Sequence, residues 1–144
     1  MSAHLLLFSE KFPETFENWQ TILDELSVPL VIWEKGKVDY SVSLIKIKTS
    51  VRGKEHIESI ECYPRNFEDL SEILKSLVRE KLGSRRQLLD FKYSSYGAAE
   101  SFGLGLALMK EHDALCYVDC MNYGFIDFEE AKDGFYKQLA MMSY

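Results

Sequence analysis

A chain of 144 residues that is 47% hydrophobic and 13% aromatic, with only three Pro and eight Gly, has enough apolar material for one core, which excludes a disordered chain. The formal net charge of −6 opposes general attraction to DNA, RNA or anionic lipid, which depends on a basic surface, and favours a basic partner or none. The longest apolar stretches, such as Leu5 to Phe8 and Leu104 to Met109, fall well short of the roughly 20 residues that cross a bilayer, so no membrane partner is expected.

His4 precedes a four-residue apolar run with no basic leader and no small-residue cleavage site, which predicts no export signal. The run Leu5-Leu6-Leu7-Phe8 lacks polar alternation and predicts a strand covered on both faces. After Pro13, Phe16, Trp19, Leu23 and Leu26 recur at helical spacing with Glu14, Glu17, Asp24 and Glu25 mostly between them, an amphipathic helix ending near Ser27. Leu30-Val31-Ile32-Trp33, the turn Glu34-Lys35-Gly36-Lys37 and the alternating Val38, Tyr40, Val42, Leu44 predict a hairpin, with a bulge where the alternation slips at Leu44-Ile45. The turn Arg52-Gly53-Lys54 adds a third strand, His56 to Tyr63, whose Glu58 and Glu61 are expected opposite Lys46 and Lys48.

Pro64 ends that meander, and Asn66 with Asp69 resembles a cap before the helical pattern Leu70, Ile73, Leu74, Leu77, Val78, which Gly83 closes. Leu88, Leu89, Phe91 and Tyr93 predict a strand, and the small residues Ala98, Ala99, Gly103, Gly105 and Ala107 a helix lying close on the sheet as far as His112. Ala114 to Val118 and Tyr123 to Asp127 predict two further extended segments. Asp127 with Glu130 marks the capped start of a last helix that carries Phe135, Leu139 and Met142 inward. The order predicts one α+β domain over residues 1–144, a mostly antiparallel or mixed sheet packed by about four helices.

Cys62, Cys116 and Cys120, an odd number in strand-like segments, predict small buried hydrophobes in a reducing, cytoplasmic setting. One C-x-x-x-C pair has no partner pair, so no metal or other cofactor is expected. Gly103-x-Gly105 lies inside an apolar helical pattern instead of following a strand, which favours helix packing over phosphate binding. His112-Asp113 lacks a nucleophile motif and is read as a helix end, where the carbonyl dipole favours a cationic His. Tyr93, Tyr96 and Tyr123 fall near loops, where tyrosines anchor interfaces or cover a sheet edge.

The segment Tyr96-Gly97-Ala98-Ala99-Glu100 through Leu104 to Met109, then Ala114 to Asp119, resembles small bacterial immunity proteins of polymorphic-toxin and contact-dependent inhibition systems. The resemblance implies a cytoplasmic, non-enzymatic protein that binds a cognate toxin domain with a basic surface, such as a nuclease, and blocks it. Asp119, Tyr123, Asp127, Glu129, Glu130 and Asp133 are the candidate partner-binding residues because acidic and aromatic side chains gather there, with the cluster Glu68, Asp69 and Glu72 and with Glu10, Glu14 and Glu17 adding steering. The competing classes are a small enzyme using His112, Asp113 or Cys120, and a ligand-binding or oligomerising module.

Overall fold

The computed structural model describes residues 3–41, 44–94, 96–119 and 124–142. In chain order the elements are β1 (Ala3–Ser9), α1 (Phe16–Glu25), β2 (Leu30–Ile32), β3 (Leu44–Val51), β4 (Lys54–Arg65), a 3-10 turn (Phe67–Asp69), α2 (Glu72–Arg79), β5 (Gln87–Tyr93), α3 (Ala98–His112), β6 (Leu115–Asp119), β7 (Phe125–Ile126) and α4 (Phe128–Met141). The strands form one sheet in the order β2-β3-β4-β5-β1-β6-β7, and every pairing is antiparallel. This is the α+β arrangement expected from the element pattern, in its antiparallel form.

The unalternating run in β1 has a direct structural cause. β1 lies between β5 and β6, with Leu5 and Leu7 on one face and Leu6 and Phe8 on the other, and all four are buried. The Leu5 face carries the larger core, closed by Trp19, Ile22 and Leu23 of α1, by α3, and by Ala131 and Phe135 of α4. Trp19 ties the layers together: its indole N–H donates to the Leu104 carbonyl at 3.2 Å, and its ring meets Phe91 edge-on. α3 is buried at every position from Ala98 to Leu108, so its small residues set how near the layers come. A Cβ on Gly103 would collide with the Leu30 side chain, and one on Gly105 would stand 3.2 Å from Leu5.

The Leu6 face is covered only in part. Leu70, Val78 and Leu82 of the α2 region pack there on Leu6, Phe8, Leu88 and Tyr117, while Val31, Trp33, Leu44 and Ile57 stand exposed on the β2–β4 half. Edge strand β2 is closed by a side chain. The Gln20 amide donates to the Leu30 carbonyl at 3.0 Å and accepts from the Ile32 N–H at 2.8 Å, standing in for the peptide unit of a further strand.

Several local expectations change. Residues 38–41 form no strand; Val38 and Tyr40 are loop residues that pack on the core, held by Val38 N–H to the Glu14 carbonyl and Tyr40 hydroxyl to the Pro13 carbonyl. Val42 lies outside the described residues. β3 alternates without a bulge from Leu44 to Val51. Glu58 sits opposite Ile47 on the other face from the lysines, and Lys48 pairs instead with Glu55 at 3.4 Å. Asn66 precedes the 3-10 turn and makes no side-chain cap bond, and the cap of α2 is Ser71, whose hydroxyl accepts the Leu74 N–H. At Arg52-Gly53 both residues have positive φ, the two-residue hairpin geometry that the sequence signals.

Candidate functional site

Four of the candidate partner-binding residues stand together at the start of α4. The Asp127 carboxylate accepts the Glu130 N–H at 2.8 Å, and the Glu130 carboxylate accepts the Asp127 N–H at 3.1 Å, a reciprocal cap that fixes both acids in position. Glu129 and Asp133 are exposed beside them, and Asp133 reaches Lys137 at 2.9 Å. Asp119 does not join this group. It pairs in register with His4, so it faces the α2 side of the sheet, away from the helices of the larger core. Tyr123 and Cys120 lie outside the described residues.

The structure adds a second acidic group on α1 and the residues just before it. Glu14, Glu17, Asp24 and Glu25 are all exposed, and Glu17 is held in place by accepting the Gly36 N–H at 2.9 Å and 3.1 Å. Both α1 and α4 pack on α3, so the two groups belong to one helical layer. Residues 14–25 and 127–141 hold eight of the chain's 23 acidic residues and two of its 17 basic ones, a net −6 equal to that of the whole chain. The remaining residues balance to zero. Acidic helix starts are favoured locally by the helix dipole, and the eight exposed carboxylates outnumber the two ammonium groups of these segments, with Lys11, Lys37 and Arg52 adjoining them at the ends of α1 and α4. Glu14 and Glu25 line, with Lys11, Glu111 and His112, a groove of about 340 Å³ between α1 and the end of α3. Glu10, also read as a steering residue, is exposed next to β1. The sequence signal for the α1 group was the absence of any Lys or Arg between Lys11 and Lys35.

The candidate catalytic residues are not assembled. Asp113 pairs with Arg85 at 3.1 Å and terminates α3 in a left-handed conformation, so it does not orient His112. Burial and nearby Lys11 push His112 below the ordinary imidazole range, and its Nδ1 is buried without a partner. Cys62 and Cys116 are buried and unpaired with each other, and desolvation raises both thiols far from the reactive range. No three or more His, Cys, Asp or Glu among the described residues are placed to hold a metal ion. Among these residues no helix is long and apolar enough to cross a membrane.

A polar cluster that sequence reading missed lies on the face shared with α2. Asp90 is almost fully buried and accepts both His4 Nδ1 at 2.7 Å and Arg65 Nη1 at 2.8 Å. Its charge is matched and its hydrogen bonds are satisfied, as a buried carboxylate requires. His4 looked solitary because its partner, Asp90, is 86 residues away in the chain. Comparison of the chain with protein-family models, curated proteins and solved structures finds no match.

Proposed function

We propose that this chain is a non-enzymatic immunity protein that binds a cognate bacterial toxin domain through its acidic helical layer, acting in the cytoplasm. The observation that carries the reading is the location of the whole net charge on α1 and α4, all eight carboxylates exposed and the rest of the molecule neutral. A toxin with a basic groove, such as a nuclease, meets complementary potential on this side. Encounter is then steered, and an approach by any other side gains little. Carboxylates pre-positioned by the α4 cap and by Gly36 lose little further freedom on binding.

The test is titration against the candidate toxin domain encoded beside this chain. Nanomolar affinity is expected, with protection of cells that produce the toxin. Replacing Glu14, Glu17, Asp24 and Glu25 by the corresponding amides should slow association by about tenfold or more, and the same exchange at Asp127, Glu129, Glu130 and Asp133 should do likewise. Absence of binding at micromolar concentration, or full affinity in both variants, contradicts the reading.

A further inference from the structure

A second concavity, about 330 Å³ in volume, opens at the opposite end of α4 from the acidic group, between β4, the first turn of α3 and the last turn of α4. Its polar wall consists of Glu58 and His56 from β4, which pair at 3.2 Å, Glu100 from α3 and Gln138 from α4. Met141 and Met142 supply an apolar wall, and Tyr96 stands at the rim. The volume is at the lower end of the range for small-molecule sites.

Glu100 is the unusual member. It is 1% exposed, and its carboxylate has the Thr49 hydroxyl at 3.3 Å as its side-chain partner. An acid in the first turn of a helix is favoured by the dipole, yet that benefit does not require burial. Among the described residues no Lys or Arg lines the cleft; Arg52 stands next to it and donates to the Met142 and Ala140 carbonyls. Burial, with Glu58 adding in the same direction, raises the Glu100 carboxyl above the ordinary range, so folding here retains a group that the native state holds at a cost. Tyr96 and Met141 are 73% and 74% exposed, large side chains left in water where a ring face and a thioether can contact a bound molecule. With two carboxylates, an imidazole, a phenol and an apolar wall, the lining repels anions and complements a cation with a hydrocarbon body.

We propose that this cleft binds a small organic cation, an amine or guanidine, whose charged group sits at Glu58 and Glu100 and whose body lies along Met141 under Tyr96. The site is independent of toxin binding by the acidic helical layer. The experiment is calorimetric titration of the purified chain with agmatine and with tyramine, with inorganic phosphate as the anionic control. Binding of at least one amine at or below about 1 mM is expected, without phosphate binding. Glu100→Gln should weaken it tenfold or more while melting no lower than the parent. Tyr96→Ala, at an exposed position that leaves the core intact, should weaken it about threefold or more. The proposal is overturned if neither amine binds, if phosphate binds in their place, or if both variants bind as the parent does.

Discussion

The two faces of the sheet differ in cover and in charge. One carries three helices, buries the larger core and bears on its outer surface the net charge of the chain; the other has α2 over one half and leaves the β2–β4 half open, with Lys46, Lys48 and Glu61 among Val31, Trp33 and Ile57. Trp19 and Trp33 express the contrast in one residue type. The first is completely buried and tied to α3, whereas the second is 46% exposed with Lys46 over its ring. Packing is thus concentrated where the acidic helices sit, so the proposed binding surface rests on the most rigidly supported layer of the molecule.

The contrast breaks most readily at Trp19. Trp19→Ala is expected to cost about 3–5 kcal/mol in urea unfolding, whereas Trp33→Ala should stay within about 0.5 kcal/mol; comparable losses would mean that the open half is packed in solution. Gly103→Ala probes the same layer with a single methyl group. Its collision with Leu30, flanked by Phe135 and Val28, should cost about 1–3 kcal/mol despite the higher helix propensity of Ala, and a more stable variant would refute the tight seating of α3. Asp127→Ala removes a reciprocal cap and should cost about 1 kcal/mol by thermal unfolding. Gln20→Ala should lose less in a dilute monomer but raise self-association in light scattering, because the outward groups of β2 are uncovered.

The smallest expected effect has the opposite sign. A carboxyl whose folded pKa lies above its unfolded value makes the native state bind more protons than the unfolded chain, so its contribution to stability grows as pH falls through the folded pKa toward the unfolded one. Above that folded pKa the ionised Glu100 is therefore a net burden. Glu100→Gln should melt higher than the parent at pH 7, and the gap should narrow as the parent protonates on acidification. A lower melting temperature at pH 7 would show that the carboxylate holds the fold together.

What was legible in the chain follows from which interactions are local. β1 announced its two covered faces by lacking alternation, α3 its close seating by Gly103 and Gly105, and α4 its start by Asp127 and Glu130 three residues apart. The false strand at Val38 and Tyr40 arose because a loop pinned under the start of α1 also buries every second residue. The error at Glu58 concerns which face a strand residue occupies, and that depends on register, which pairing with the neighbouring strand decides. The α4 half of the acidic surface was visible as a cluster, but its α1 half becomes part of the same layer only through α3. Glu100 resembled any first-turn acid until Thr49 and β4 were brought beside it.

The central claim, that the acidic helical layer is the binding surface, is tested most directly by the association rate with the neighbouring toxin domain across ionic strength. A rate that falls steeply from low salt to roughly 0.5 M, and a variant carrying amides at all eight acids of α1 and α4 whose rate is low and nearly flat, is the predicted result. Parent and variant rates that coincide at every salt concentration would contradict it.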